Sequence, residues 1–118
     1  MPRRAKPDPL SLKIGKRIRE LRLERGVTME RLAYESELGS KGHLSNIEKG
    51  LVRPTAHTLN VLAEALEVLP LDLLTFPGHD TRQELIDRTR HVDTATLRRW
   101  LAEAPRGEPE KRRRASKP

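Results

Sequence analysis

The strongest structural signal in this chain lies in residues 14–74, IGKRIRELRLERGVTMERLAYESELGSKGHLSNIEKGLVRPTAHTLNVLAEALEVLPLDLL. Its apolar residues recur three and four positions apart, which is the spacing of one face of an α-helix. Ile14, Ile18 and Leu21 begin this pattern. Because glycines and prolines interrupt it repeatedly, we predict several short helices joined by tight turns.

Capping signals place the first two helices. The first begins after a cap at Asp8, with Pro9 as its first residue, or after a cap at Ser11. Gly26 ends this helix in a left-handed conformation, which glycine adopts without strain. Thr28 then caps a short second helix, so only a brief turn separates the two.

A third short helix is predicted over residues 41–49, with Leu44 and Ile47 on its apolar side. Gly39 marks the turn before it, and Gly50 closes it. Two short helices joined by a tight turn that contains glycine form a helix-turn-helix arrangement.

The leucines that follow complete a small core. A fourth helix carries the apolar face of residues 59–66, and Pro70 can open a fifth. We predict that this core contains Leu59, Leu62, Leu66, Leu71 and Leu74. Pro77 marks a domain edge, and we therefore expect a helix-turn-helix domain over residues 9–76.

Weaker signals lie outside this domain. Residues 1–8 are predicted to form a basic mobile arm and residues 105–118 a disordered basic tail, because both are nearly devoid of apolar residues. Residues 79–104 predict a short helical extension. Its apolar side could cover the domain, receive an effector or form a dimer interface, which we favour; its members are Leu85, Ile86, Leu97, Trp100 and Leu101.

The formal net charge of +7 is unevenly distributed along the chain. Residues 1–53 carry +6, residues 54–105 carry −3 and residues 106–118 carry +4. Clustered Lys and Arg neutralise phosphates, so the basic first half suggests a polyanion partner. A solvated surface that is merely unevenly charged is the alternative, and charge alone favours neither.

Other classes of function find little support in the sequence. The chain has no cysteine, which excludes disulfides, thiolate metal sites and thiol nucleophiles. The four histidines lie far apart, without other ligands at metal-binding spacing, and no nucleophile or phosphate-loop motif occurs. No apolar run is long enough to cross a membrane. We expect a cytoplasmic protein that is not an enzyme and uses no metal or cofactor.

The motifs of residues 14–74 resemble those of the Cro/C1-type, or XRE, family of helix-turn-helix repressors from phages and bacteria. They are, in order, I-x-x-x-I-R-x-L-R, G-V-T, L-A, L-S-x-I-E-x-G and P-T-x-x-T-L-x-x-L-A-x-A-L. Each motif is weak alone, but their order and spacing match the family. The resemblance implies an all-α, five-helix, lambda-repressor-like DNA-binding domain, here followed by the short helical extension and the basic tail.

The resemblance also implies roles for residues of the third helix. In the family, the positions of Lys41, Gly42 and Asn46 face base edges in the major groove. Asn46 would pair with adenine and Lys41 with guanine. Gly42 has no side chain, so we expect fewer base contacts here than in relatives with glutamines at these positions. Ser45 and His43 lie on the same polar side and are further candidates for base contacts.

Phosphate contacts are expected around the third helix. Thr28 and Ser40 lie at helix N-termini, where exposed N–H groups and the helix dipole favour an anion. Lys49 and Arg53 match family positions that contact the DNA backbone. Arg17 is a further candidate for a phosphate contact.

Further positions link this chain to the family or separate it from the family. Glu48 resembles an acidic residue that pairs with a first-helix arginine, here Arg22, and this ion pair should hold the third helix in place. Met29 stands where relatives often carry a glutamine that bonds phosphate. Gly39 adds one residue to the turn before the third helix.

These features predict a sequence-specific transcriptional regulator that binds double-stranded DNA as a homodimer. One alternative is an antitoxin that binds a partner toxin while the dimer represses its own operon. Another is an adaptor that uses the helix-turn-helix fold for protein contacts, which Met29 and Gly42 favour slightly.

Overall fold

A computed structural model describes residues 6–78 and 80–107, and seven helices cover most of them. They are α1 Pro9–Arg25, α2 Met29–Glu35, α3 Lys41–Glu48, α4 Ala56–Leu66, α5 Pro70–Leu73, α6 Thr81–Thr89 and α7 Thr94–Glu103. Neither described range contains a β-strand. The prediction of an all-α fold, with five helices and a helical extension, is confirmed. The mobility expected of the arm up to residue 5 and the disorder expected of the tail from residue 108 concern segments outside the described residues.

Side-chain caps begin the helices at the predicted positions. The Asp8 carboxylate accepts the Ser11 N–H at 3.2 Å, and Thr28 Oγ1 accepts the Arg31 N–H at 3.1 Å. Gly26 ends α1 with a φ of 77°, where a residue with a Cβ would be strained. These signals act over three or four residues, so the sequence alone shows where the helices begin and end.

The core lies where the first five helices meet. Its fully buried members include Ile18, Leu32, Leu44, Leu62 and Leu73. The predicted burial of Leu71 and Leu74 is wrong, because their side chains are 52% and 44% exposed. Helix α5 is a single turn, so it directs only one of its leucines, Leu73, into the core.

Helices α1 and α3 approach each other with their backbones in close contact. A Cβ atom placed on Gly15 would lie 2.4 Å from the carbonyl oxygen of Ile47 and 2.5 Å from that of Glu48. Only glycine allows this approach, and Gly15 therefore fixes the position of α3 relative to α1.

The helical extension packs on the same chain through polar contacts. Arg90 of α6 donates two hydrogen bonds to the Glu24 carboxylate of α1, at 2.9 and 3.2 Å. The Phe76 N–H donates to Gln83 at 2.7 Å. A cavity of about 630 Å³ lies between α1, the α4–α5 region and the extension.

Candidate functional site

Helix α3 has one buried side and one accessible side. Leu44 and Ile47 are buried in the core with exposed fractions of 0% and 1%. Among the five candidates for base contacts, Lys41 and Gly42 are exposed, and the other three are half-buried: His43, Ser45 and Asn46. The buried pair anchors the helix, so the polar side can face a partner.

The turn before α3 contains two residues in the left-handed region. Glu37 has a φ of 60° and Gly39 a φ of 87°. The turn is secured by Ser36, whose buried hydroxyl donates to the Leu32 carbonyl at 2.6 Å. Because Gly39 supplies a left-handed φ just before Ser40, it sets the direction in which the chain enters α3.

The predicted ion pair between Arg22 and Glu48 is present. Arg22 Nε lies 2.8 Å from Glu48 Oε2, and Arg22 Nη2 lies 3.2 Å from Glu48 Oε1. The same guanidinium donates to the Val27 carbonyl at 3.0 Å. One side chain thus connects α1 with the loop before α2 and with the end of α3.

Two of the predicted DNA-contacting cations form ion pairs within the chain. Lys41 Nζ lies 3.0 Å from Glu30 Oε1, and Arg53 Nη2 lies 3.4 Å from Asp8 Oδ1. The hydrogen bond from Lys41 lowers the pKa of Glu30 below its ordinary value. The sequence did not predict either pair. Each joins residues of different elements, and their separation along the sequence does not match the helical period.

Three further candidates for phosphate contacts, Thr28, Ser40 and Lys49, lie at exposed positions. Thr28 and Ser40 are exposed N-caps of α2 and α3, and the Ser40 hydroxyl accepts the His43 N–H at 3.1 Å. Lys49 is exposed just after α3. The ion pair with Glu30 places the Lys41 ammonium next to the first turn of α2. Glu30 lies two residues after the N-cap Thr28.

The assignment of Arg17 to a phosphate contact is wrong. Its side chain is 1% exposed, and its guanidinium donates to the Asp72 carbonyl at 2.9 Å, to Glu20 at 3.0 Å and to Asp87 at 2.6 Å. These bonds satisfy the buried cation and join α1 to α5 and α6. The sequence did contain the relevant signal, since Arg17 lies three residues after Ile14 and four before Leu21, on the apolar face of α1.

The five apolar candidates of the extension divide into two groups. Leu85, Trp100 and Leu101 are 59%, 44% and 75% exposed. Ile86 and Leu97 are half-buried and line the cavity against the domain. The extension therefore both packs on its own chain and presents apolar side chains outward.

Within residues 6–78 and 80–107, no cluster of three or more potential metal ligands is present. Among the helices described, none is both long and apolar enough to cross a membrane.

Residues 15–78 match the sequence model of a family described as a helix-turn-helix domain. The HTH-type transcriptional regulator DdrOP3 of Deinococcus deserti is 36% identical over 63 residues, which are 53% of this chain and 48% of that protein. The chain thus spans about half the length of this relative. The control protein C.BamHI of Bacillus amyloliquefaciens is 32% identical over 68 residues, which are 57% of this chain and 83% of that protein.

A solved structure supports the same grouping. The restriction-modification controller protein C.AhdI from Aeromonas hydrophila superposes with a TM-score of 0.52 at 33% sequence identity. The similarity covers 53% of this chain and 94% of that protein, so the shared fold is the helix-turn-helix part without most of the extension.

Proposed function

This chain belongs to the helix-turn-helix family of Cro/C1-type DNA-binding transcriptional regulators, and from that membership we propose that it reads a specific operator in the bacterial or phage cytoplasm. The observation that carries the proposal is that α3 has one buried and one accessible side. Leu44 and Ile47 are buried, and residues 41–43 and 45–46 are exposed or half-buried. The major groove is about 12 Å wide and admits one such helix.

The polar side of α3 offers the chemistry of base recognition. Asn46 carries the amide that pairs with adenine N6 and N7, and Lys41 carries the ammonium that reaches guanine O6 or N7. Gly42 has open space around it, with no atom within 4 Å of a Cβ placed there, so bases can approach the backbone closely. His43 and Ser45 supply further hydrogen-bonding groups.

Phosphates are held at the two ends of this reading surface. The exposed N-caps Thr28 and Ser40 present helix N-termini to the DNA backbone. Lys49 follows α3 and Arg53 lies a few residues later, both with exposed side chains. Such contacts set the register of the helix in the groove without reading sequence.

A homodimer accounts for the apolar side of the extension. Trp100 and Leu101 follow Leu97 at helical spacing and project outward, and Leu85 is exposed on the neighbouring helix. Helix-turn-helix dimers bind two half-sites about one helical turn apart, and a homodimer through these residues should recognise an operator of that symmetry.

Selection of bound fragments from random duplexes, followed by titration of the selected site, tests the proposal. Binding must weaken steeply with salt, since phosphate contacts release counterions. Asn46→Ala should relax base preference at one position of each half-site. Lys49→Ala should weaken all duplexes alike and reduce the salt slope by about 1.

Arg82→Ala is the matched control, because Arg82 is an exposed cation of α6, away from α3. It should leave the affinity and the salt slope close to those of the unaltered protein. Absence of salt-sensitive binding to every duplex would overturn the proposal.

A further inference from the structure

We infer that Glu30 restrains DNA binding at α3, because its carboxylate competes with DNA for the Lys41 ammonium. The inference rests on the proposed function and extends it. Within the chain, Glu30 engages Lys41, so DNA must offer a better acceptor before Lys41 can leave the carboxylate. A correctly placed guanine provides that acceptor, and a non-cognate base pair does not.

The pair lies where DNA would approach. Glu30 belongs to the first turn of α2, two residues after the N-cap Thr28, and Lys41 is the first residue of α3, directly after the N-cap Ser40. The Nζ–Oε1 distance is 3.0 Å, and the side chains are 58% exposed for Lys41 and 64% exposed for Glu30. Both groups are therefore within reach of a polyanion that contacts either N-cap.

Helix dipoles favour the arrangement before DNA binds. An acidic residue in the first turn of α2 interacts favourably with the positive end of that helix, but a cation at the start of α3 does not. The nearby carboxylate of Glu30 offsets this unfavourable position of Lys41. The hydrogen bond from Lys41 lowers the pKa of Glu30 below its ordinary 4.5, which already lies well below neutral pH, so the carboxylate is ionised when DNA approaches.

DNA binding changes the balance of charges at this point. When Lys41 moves to a base edge, the carboxylate of Glu30 is left facing a surface dominated by phosphates, which repel it. On a cognate site the hydrogen bond to guanine O6 or N7 compensates for this repulsion. On other sequences no such bond forms and Lys41 stays paired, so Glu30 lowers operator affinity at least as much as non-specific affinity.

The second ion pair of the site is less suited to this role. Asp8 pairs with Arg53 at 3.4 Å, but the Asp8 carboxylate also caps α1 through Ser11. Substitution of Asp8 would therefore alter the fold as well as the charge. The N-cap hydrogen bond of α2 comes from Thr28 and does not involve the Glu30 side chain.

Glu30→Gln tests the inference, because it removes the charge and keeps the size. We expect affinity for the selected operator at low salt to rise by about two- to tenfold, because Lys41 no longer leaves behind a carboxylate that faces phosphate. Non-specific affinity should rise by no more than the same factor, so the specificity ratio should not fall. Glu103→Gln is the matched control: it removes one exposed carboxylate from α7 and should leave both affinities unchanged.

A double-mutant cycle separates competition for Lys41 from simple repulsion of phosphate. In a Lys41→Ala background, Glu30→Gln should raise operator affinity by a smaller factor, because only the repulsion between Glu30 and phosphate is left to remove. A full effect in that background would show that Glu30 acts on DNA without Lys41 and would overturn the inference.

The same titrations distinguish a failure of the proposed DNA-binding function from a failure of the role inferred for Glu30. If the unaltered protein binds no duplex in a salt-sensitive manner, the proposed function fails and this inference fails with it. If it binds a selected operator but Glu30→Gln leaves the operator affinity unchanged, only the role of Glu30 is wrong.

Discussion

Arg22 of α1 and Glu48 of α3 form a two-point ion pair whose side chains are 8% and 3% exposed. The guanidinium uses Nε and Nη2 for the carboxylate and Nη1 for the Val27 carbonyl. The pair thus joins the long first helix to the end of the proposed reading helix. Its burial makes it sensitive to the loss of either partner.

Glu48→Ala should destabilise the protein by about 3 to 5 kcal/mol, because it leaves a buried guanidinium without its counter-charge. Urea denaturation and thermal melting measure the loss. The double variant Arg22→Met with Glu48→Leu should be markedly more stable than Glu48→Ala, since no uncompensated charge remains. An unchanged melting temperature for Glu48→Ala would refute the structural role of the pair.

Gly15→Ala should lower both stability and DNA affinity, because the new Cβ would lie 2.4 Å from the Ile47 carbonyl oxygen and push α3 away from α1. We expect a destabilisation of about 1 to 3 kcal/mol. Circular dichroism melting and duplex titration provide the two measurements.

Gly42→Ala is the matched comparison within α3. No atom lies within 4 Å of the added Cβ, and alanine favours a helix over glycine by about 1 kcal/mol. Stability should therefore rise slightly. Base preference should change, because a methyl group would then occupy the surface proposed to face the bases; retention of the original preference would argue against Gly42 at a base contact.

The docking of α6 on α1 should weaken in acid. Partial burial of Asp87 favours its neutral form, but hydrogen bonds from Arg17 and Arg90 prevail and lower its pKa below the ordinary 3.8. The hydrogen bond from Arg90 likewise lowers the pKa of Glu24 below 4.5. The ion pairs of Asp87 and Glu24 therefore stabilise the fold fully above pH 3.8 and pH 4.5, respectively. This stabilisation is lost as the pH falls through the lowered pKa of each carboxylate.

Thermal melting between pH 7 and about pH 2 checks this expectation with Asp87→Asn. The variant should melt lower than the unaltered protein at pH 7, and the difference should narrow only below pH 3.8. The exposed carboxylate variant Glu103→Gln should follow the unaltered protein throughout. Parallel curves for Asp87→Asn and the unaltered protein would show that Asp87 contributes nothing through its charge.

Trp100→Ala should weaken the proposed homodimer by about 2 kcal/mol or more, the effect of losing a central aromatic anchor. Sedimentation velocity over a range of concentrations measures the shift. Leu23→Ala is a suitable control, because Leu23 is a similarly exposed apolar residue of α1. Equal effects of the two substitutions, or a monomer at every concentration, would contradict a dimer through the extension.

Much of the fold could be predicted because its signals are local. Caps at Asp8 and Thr28 and the left-handed Gly26 depend on residues only three or four positions away. The buried side of α3 also follows directly from the spacing of Leu44 and Ile47. The position of Lys41 at the start of α3 was likewise clear from sequence, but its partner was not.

The sequence by itself determined the all-α class, the order of the helices and the side of α3 that remains accessible, since helical period and capping act within single elements. Only the tertiary structure decided which charges pair between elements. It joins Arg17 to Asp87 of α6, and it pairs Lys41 with Glu30 across two helices. The physical reason is that ion pairs between elements depend on how the helices cross and how closely Gly15 lets them approach, which no local pattern encodes.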